Sequence, residues 1–187
     1  MPQLILGLTG QVGSGKGFIC DYLIKEYGAE MFKFSTYLSR ALDVMALENS
    51  RDNLVRMSEA LRNAFGEDAL SHALASDASK STAPLAVVDG IRRPEDLAGL
   101  EPLPNFKLAA VEADQKIRYS RIANRGEKTD EASMTWDDFV AIENRSTEIT
   151  VPMTMARASL HIENNGTSDE LTARLDALMA EFGIQKS

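Results

Sequence analysis

The sequence predicts an α/β fold in which a five-stranded parallel sheet is covered by helices on both faces. Short apolar runs of strand length alternate along the chain with stretches of helical periodicity. The first apolar run, Leu4 to Leu8, leads into a glycine-rich turn and then a helix. A chain of 187 residues with 44% hydrophobic and 26% charged residues has the composition of a single globular domain, residues 1–187.

The remaining strands follow the first unit in an alternating order. Gly28 ends the first helix, and a weaker strand is predicted at residues 30–34. Residues 35–83 show three helical patterns and no convincing strand, so we expect a helical insert there. The other strands are expected at residues 84–88, 106–111 and 159–163.

Helices are predicted between and after the later strands. A basic helix is expected at residues 115–124. Another is expected at residues 135–147, because Thr135 and Asp138 have the spacing of a capping box. Residues 125–134 carry few apolar side chains, and we interpret them as a lid loop. A second capping box near the C-terminus begins the helix with the clearest amphipathic pattern.

The composition excludes several functional classes. Cys20 is the only cysteine, which excludes a disulfide framework and a cysteine-based zinc site. No apolar run approaches the ~20 residues of a membrane-spanning helix, and the N-terminus lacks the basic region of a signal peptide. We therefore expect a reduced, cytoplasmic setting and no membrane partner. The net charge of −8 disfavours a nucleic-acid polymer as partner, since that would need a basic surface.

Residues 10–17 match the phosphate-loop pattern G-x-x-x-x-G-K directly after the first strand. Glycines let successive backbone N–H groups turn around a phosphate, and the following helix adds its N-terminal donors and dipole. Lys16 would place a positive charge against the β- and γ-phosphates. Gly17 takes the place of the usual Ser or Thr that contacts Mg²⁺, and Phe18 follows it. Mg²⁺ tolerates this loss, because it often keeps several waters and relies on substrate phosphates.

A carboxylate and two arginines follow the strand at residues 84–88. Asp89 ends this apolar run, which is typical of a Walker B aspartate that orients Mg²⁺ or its water. The alternative is a turn aspartate before Gly90. Arg92 and Arg93 come next, and an arginine at this place would hold an acceptor phosphate through two hydrogen bonds. The alternative is a pair of solvated surface arginines.

The basic helix places Arg118, Arg121 and Arg125 on one face. Like charges at this spacing repel one another, and a bound polyanion would remove that cost and add charge-assisted hydrogen bonds. Asp114 stands four residues before Arg118 and could pair with it, so phosphate contact is expected chiefly from Arg121 and Arg125. The loop after Arg125 would then close over the site and keep water from the transferred phosphate.

Taken together, these motifs resemble a small P-loop kinase of the nucleoside monophosphate kinase group. The nearest branch contains dephospho-CoA kinase and archaeal and phage nucleotide kinases. The resemblance spans the whole chain and includes the phosphate loop, the helical insert, V-V-D-G-I-R at 87–92, R-x-x-R-x-x-x-R-G at 118–126 and I-x-N-x-G at 162–166. It implies a P-loop NTPase fold with a helical acceptor-binding insert and a lid, and ATP and Mg²⁺ as cofactors.

The resemblance also implies roles for matched residues. The donor nucleotide would be bound by the phosphate loop and by the turn after the last strand, through Gly10, Gly13, Ser14, Gly15, Lys16, Gly17, Phe18, Asn164, Asn165 and Gly166. The catalytic residues would be Lys16, Asp89, Arg92, Arg121 and Arg125, with Asp89 also at the metal. The acceptor would be bound by Ser35, Arg40, Arg62 and Arg92. No strict motif supports the first three, whose alternative roles are helix caps and surface charge.

The function implied is ATP-dependent phosphoryl transfer to a small phosphorylated acceptor, a nucleoside or deoxynucleoside monophosphate, by a monomer or homodimer. One alternative is phosphorylation of a ribose hydroxyl, as in dephospho-CoA kinase. It is disfavoured because residues 34–36, Phe-Ser-Thr, lack the aspartate that follows the second strand in that family. The other alternative is a non-catalytic nucleotide-binding switch, because of Gly17 and Phe18. A GTPase is disfavoured by the absence of an N-K-x-D motif, and an AAA-type motor would need a longer chain.

Overall fold

A computed structural model of the chain describes residues 1–124 and 134–187. The proposed lid loop at 125–134, apart from Met134, and the candidate residue Arg125 lie outside the described residues. The five strands are β1 (Leu4–Thr9), β2 (Glu30–Lys33), β3 (Leu85–Asp89), β4 (Phe106–Glu112) and β5 (Leu160–Glu163). They form one sheet in the order β2-β3-β1-β4-β5, and each neighbouring pair is parallel. The predicted five-stranded parallel sheet is confirmed.

The helices of the described residues connect these strands. They are α1 (Lys16–Tyr27), α2 (Phe34–Val44), α3 (Arg51–Phe65), α4 (Ala69–Ser79), α5 (Gln115–Ala123), α6 (Trp136–Glu143), α7 (Val151–Met155) and α8 (Ser168–Glu181). None of the helices in these two described ranges is long and apolar enough to cross a membrane. Helices α2, α3 and α4 occupy the segment between β2 and β3, where the sequence predicts a helical insert.

Local sequence signals set several helix ends. Gly28 ends α1 in the left-handed conformation, with φ of 61°. Thr135 forms the predicted capping box with Asp138. The prediction that this helix continues to residue 147 is wrong: α6 ends at Glu143, and the Arg145 N–H bonds to the Ile142 carbonyl, three residues back instead of four.

Alternate side chains of the strands enter two separate cores, one on each face of the sheet. Leu6 and Leu8 pack with α1 and α8 in one core. Ile5 and Val88 pack with Leu74 of α4 in the other. Helices therefore cover both faces, as the alternation of strands and helices predicts.

The position of β1 determines where the site lies. This strand is at the centre of the sheet, between β3 and β4, and it ends directly before the glycine-rich loop. Because all strands run parallel, the turns that follow β1, β3, β4 and β5 lie along one edge of the sheet. The phosphate loop is thereby flanked by Asp89 at the end of β3 and by the residues that follow β4 and β5.

Candidate functional site

The backbone of the phosphate loop requires glycine at two positions. Gly13 has φ of 78° and Gly15 has φ of 100°, conformations that residues with a side chain rarely adopt. A Cβ atom on Gly13 would lie 2.7 Å from the carbonyl oxygen of Arg118, and one on Gly15 would clash with the Asn164 side chain. The loop therefore packs tightly against α5 and the turn after β5.

Three side chains, one of them from the loop itself, donate hydrogen bonds to carbonyl groups of the loop. Arg118 Nη1 donates to the carbonyl of Val12 at 3.2 Å, and Asn164 Nδ2 donates to the carbonyl of Ser14 at 2.8 Å. Lys16 Nζ donates to the carbonyl of Gln11 at 3.2 Å and also to that of Gly10. Each of these bonds fixes the direction of a peptide group in the loop.

The loop leads into a helix whose N-terminus has no cap of its own. The N-cap residue of α1 is Gly15, which offers no capping side chain, and no acidic residue lies in the first turn. By contrast, α6 and α8 both begin with a capping box and two acidic residues. No side chain caps the first N–H groups of α1, and no acidic side chain offsets its dipole. Both features favour an anion at this end of the helix.

Lys16 is a half-buried cation in this loop. Burial lowers its pKa, while the nearby carboxylates of Asp89 and Glu148 act in the opposite direction and Arg92 lowers it further. Lysine, aspartate and arginine are thus close enough to influence one another. The structure brings together three of the predicted catalytic residues, namely Lys16, Asp89 and Arg92.

Arg121 is a second cation beside the loop. Its Nη2 donates to Asn164 Oδ1 at 3.1 Å, and its Nη1 lies 4.0 Å from where a Cβ on Gly15 would be. Nη1 is buried and has no hydrogen-bond partner among residues 1–124 and 134–187. Burial lowers the pKa of this guanidinium, and no carboxylate of the described residues forms an ion pair with it. An anionic ligand would supply the hydrogen-bond acceptor that this buried N–H group lacks.

The two arginines after β3 have different surroundings. Arg92 forms an ion pair with Glu148 at 3.4 Å and remains about half exposed. Arg93 is held by Glu67 of the insert and by Asp96, whose Oδ1 lies 3.4 Å from its Nη2. Arg92 is therefore the one of this pair whose side chain remains accessible beside Lys16.

Asp89 is the carboxylate next to Lys16 that fits a role at a magnesium ion. The pairing of β2 with β3 places Lys33 beside Asp89, yet their ion pair is long, at 3.9 Å. The Asp89 side chain is 22% exposed, so a ligand can reach it. No group of three or more His, Cys, Asp or Glu side chains able to hold a metal occurs within the described residues. Around Gly17 no atom lies within 4 Å of a built Cβ, so nothing there replaces the missing hydroxyl.

Three predicted acceptor residues lie on the insert, and the structure does not bring them together. Ser35 is exposed in the first turn of α2. Arg40 lines a cleft of about 390 Å³ along β2, which Lys33 also lines. Arg62 forms an ion pair with Glu67 at 3.5 Å and donates to Ser58 of its own helix.

Sequence reasoning missed a cleft of about 400 Å³ between α3 and the turn after α6. Its lining residues come from two distant segments and are Arg51, Asp52, Val55, Arg145, Ser146 and Thr147. Thr147 Oγ1 is buried and has no hydrogen-bond partner in the described part of the chain. The next residue, Glu148, pairs with Arg92 and lies close enough to Lys16 of the loop to act on its pKa. The sequence could not predict that Arg51 and Arg145 line one cleft, because the two residues are far apart in the chain and meet only in the fold.

The remaining donor candidates lie around the loop. Asn165 Oδ1 accepts a hydrogen bond from the Asp114 amide at 2.8 Å, and Gly166 leads into α8. Phe18 is exposed on α1 and stacks on Tyr22 with a centroid distance of 6.5 Å.

The structure corrects the expected pairing of Arg118. Its guanidinium forms an ion pair with Glu143 of α6 and not with Asp114, to which only its backbone N–H is bonded. The sequence places Asp114 four residues before Arg118, but Asp114 N-caps α5 while the arginine side chain is buried against α6.

Comparison with known proteins shows the family and the fold of the chain. A family model described as AAA domain matches residues 9–137, from the end of β1 to the first turn of α6. The description names a domain and not a motor activity. A UPF0200 protein of Sulfurisphaera tokodaii is 25% identical over 175 residues, which cover 94% of this chain and 95% of that protein. A UPF0200 protein of Methanoculleus marisnigri is 24% identical over 180 residues, which cover 96% and 97%.

Solved structures share the fold. The crystal structure of TT1252 from Thermus thermophilus has a TM-score of 0.67 at 21% identity and covers 97% of this chain and 98% of that one. Shikimate kinase from Bacteroides thetaiotaomicron has a TM-score of 0.59 at 8% identity and covers 96% and 98%. The expected resemblance to P-loop kinases is thus confirmed at the level of fold. The chain therefore belongs to the family described as AAA domain, and its fold is that of a P-loop kinase.

Proposed function

We propose that the chain transfers the γ-phosphoryl group of ATP to a small phosphorylated acceptor, a nucleoside or deoxynucleoside monophosphate. The observation that carries this proposal is the state of Arg121. Its guanidinium lies beside the phosphate loop, its pKa is lowered by burial, and Nη1 has no partner in the described residues. A polyphosphate on the loop would supply both the missing acceptor and the missing negative charge.

The donor phosphates would lie on the uncapped N-terminus of α1, with Lys16 on one side and Arg121 on the other. On binding, Lys16 Nζ would exchange its bonds to the carbonyls of Gly10 and Gln11 for bonds to phosphate oxygens. Because both cations are partly desolvated before the ligand arrives, their attraction for phosphate is stronger than that of exposed side chains.

Magnesium would be held by Asp89, waters and the donor phosphates, since Gly17 offers no hydroxyl. When bound, the ion supplies charge neutralisation on the β- and γ-phosphates. The Asp89 carboxylate lies near Lys16 and is partly exposed, and its ion pair with Lys33 is long enough to be exchanged.

The acceptor would approach from the side of Arg92. An oxygen of its phosphate attacks the γ-phosphorus while the bond to the β–γ bridging oxygen breaks, so that ADP leaves with the bonding electrons. Arg92 would orient the acceptor phosphate once that phosphate replaces Glu148 as its partner. No nucleophilic side chain is needed, because such transfer depends on positioning and charge neutralisation.

The body of the acceptor would occupy the cleft between α3 and the turn after α6. Arg51 and Arg145, from opposite walls, give it polar groups, and Val55 adds an apolar wall. The Thr147 hydroxyl, which has no hydrogen-bond partner among the described residues, adds a third polar group. A volume of about 400 Å³ falls within the range of small-molecule sites. Ser35, Arg40 and Arg62 remain proposals for acceptor contact.

A coupled assay of ADP release tests the proposal with a panel of nucleoside monophosphates, deoxynucleoside monophosphates and dephospho-CoA. Turnover with a monophosphate is the expected result, and turnover with dephospho-CoA alone would favour the ribose-hydroxyl reaction. Tight ATP binding without turnover of any acceptor would favour a nucleotide-binding switch. We expect Lys16→Ala to abolish turnover and Lys25→Ala, an exposed lysine of the same helix, to preserve it.

A further inference from the structure

Arg118 is a buried arginine whose guanidinium makes three hydrogen bonds to groups of the protein. It is 3% exposed, and its guanidinium donates to the Ala113 carbonyl at 3.0 Å, to the Val12 carbonyl at 3.2 Å and to Glu143 Oε1 at 2.5 Å. The sequence groups this residue with arginines that would contact phosphate. In the structure it lies beneath the phosphate loop and has no open side toward a ligand.

Glu143 connects Arg118 to a second part of the loop. Its Oε1 also accepts a hydrogen bond from Gln11 Nε2 at 3.4 Å, and its Oε2 accepts one from Gln115 Nε2 at 2.6 Å. One carboxylate on α6 thus bonds a loop side chain directly and reaches the Val12 carbonyl through Arg118. Among the described residues, the hydrogen bonds that link α6 to the loop involve the Glu143 carboxylate.

The position of Glu143 depends on how α6 is docked. Phe139, one helical turn earlier, is fully buried and packs against Tyr119 of α5 at a centroid distance of 5.7 Å. The Arg118 guanidinium lies 5.6 Å from the centre of the Phe139 ring. Trp136, the only tryptophan of the chain, contacts both aromatic rings at the start of α6. If α6 left this position, Glu143 would leave Arg118 without its counter-ion.

We propose that Arg118 and Glu143 are positioning residues that make the shape of the phosphate loop depend on the docking of α6. The inference rests on the proposed function, since it assigns the loop to a donor nucleotide. A ligand that binds only the ordered loop then also favours docked α6, and docked α6 raises the affinity for that ligand by the same factor. Neither residue touches the nucleotide.

The experiment compares wild type with Glu143→Gln, which keeps the size of the side chain and removes its charge. Without nucleotide, the variant should show faster amide hydrogen exchange in the peptide covering residues 10–16. Its Trp136 emission should shift to longer wavelength, because α6 is less often docked. With ATP, the dissociation constant should rise about tenfold, within the ~5–150-fold range of typical couplings, and saturating ATP should restore the emission. The KM of the acceptor at saturating ATP should stay unchanged.

Two further variants keep the test decisive. Phe139→Leu loosens α6 without touching the loop, and it should raise the ATP dissociation constant in the same direction. Glu101→Gln removes an exposed partner of Arg157 far from α6 and should change none of these quantities. If Glu143→Gln and Phe139→Leu lower thermal stability but leave loop exchange, Trp136 emission and ATP affinity as in wild type, the pair is only structural and the proposal is wrong.

The readouts without nucleotide separate this proposal from the proposed function. A wild-type protein that binds no ATP would contradict the donor site, yet loop exchange and Trp136 emission would still report whether α6 and the loop are coupled. Conversely, a wild type that binds ATP, combined with unchanged exchange in both α6 variants, would overturn the coupling alone.

Discussion

Asn164 holds Arg121 against the phosphate loop. Its Oδ1 accepts from Arg121 Nη2 at 3.1 Å, and its Nδ2 donates to the carbonyl of Ser14 at 2.8 Å. The residue is 5% exposed, and its backbone N–H donates to the Glu112 carbonyl at 2.7 Å. A single amide side chain, directly after β5, therefore holds the Arg121 guanidinium beside the loop.

Replacing Asn164 with alanine should weaken ATP binding. The change removes both bonds, so Arg121 loses its fixed position and the Ser14 peptide is free to turn. A hydrogen bond to a charged group contributes about 1.5–3 kcal/mol, so the dissociation constant should rise by at least about tenfold. Isothermal titration with ATP measures this. Asn105→Ala, which removes a bond to the Pro2 carbonyl at the opposite edge of the sheet, serves as the control. Equal losses in the two variants would contradict the role given to Asn164.

Replacing Arg121 with methionine should have opposite effects on the free protein and on its ATP complex. Removal of a partly desolvated charge without a counter-ion should leave the free protein as stable as wild type or more stable. The stabilisation that ATP gives should largely disappear, because the donor that meets the phosphates is gone. Thermal unfolding with and without ATP measures both effects. Arg174→Met, which removes an exposed partner of Glu163, should leave the ATP effect intact. Full retention of the ATP effect in Arg121→Met would argue against a phosphate contact.

Replacing Gly17 with serine should be tolerated and should strengthen the response to magnesium. No atom lies within 4 Å of a Cβ at this position, and the residue belongs to the first turn of α1. Serine is a better helix former than glycine by roughly 0.5 kcal/mol. The added hydroxyl stands where P-loop proteins contact Mg²⁺. The Mg²⁺ concentration for half-maximal turnover should therefore fall.

The matched change at Gly15 should have the opposite result. An alanine there would require φ near 100° and would clash with Asn164, so we expect loss of ATP binding. A Gly17→Ser protein that fails to fold, or a Gly15→Ala protein with unchanged ATP affinity, would contradict the loop geometry.

ATP binding should weaken at alkaline pH because of Lys16. Burial lowers the pKa of this lysine below 10.5 in the free protein. A bound polyphosphate favours the charged form, so binding takes up protons wherever the free lysine is partly neutral. Affinity should therefore fall as the pH rises toward the ordinary lysine pKa of 10.5, because the free lysine loses its proton below that pH. Titration calorimetry in two buffers of different ionisation enthalpy measures the proton uptake. Net proton release on binding, or an affinity that stays constant as the pH rises, would contradict the assignment.

The sequence predicts best the parts of the site that are contiguous in the chain. The phosphate loop, Asp89 at the end of β3 and the face of α5 that carries Arg121 all follow from local patterns. The ion pair of Arg118 with Glu143 does not follow from a local pattern, because the spacing of residues within α5 contains no information about α6. The cleft with Arg51 and Arg145 is likewise formed by segments that meet only in the folded chain.

Helix ends show the same limit. The capping box of Thr135 is local and correctly predicts the start of α6. The end of α6 at Glu143 has no such local signal, because neither a glycine nor a proline follows it. The short helix α7, with Pro152 in its first turn, has too few residues for a periodic pattern.

The most direct test is isothermal titration of wild type, Lys16→Ala and Lys25→Ala with ATP, ADP and AMP. If the loop, Lys16 and Arg121 bind a triphosphate, wild-type affinity should decrease from ATP to ADP to AMP. Lys16→Ala should lose ATP binding, and Lys25→Ala should match wild type. Equal affinity for ATP and AMP in wild type, or unchanged ATP binding in Lys16→Ala, would contradict the assignment of the loop as the donor site.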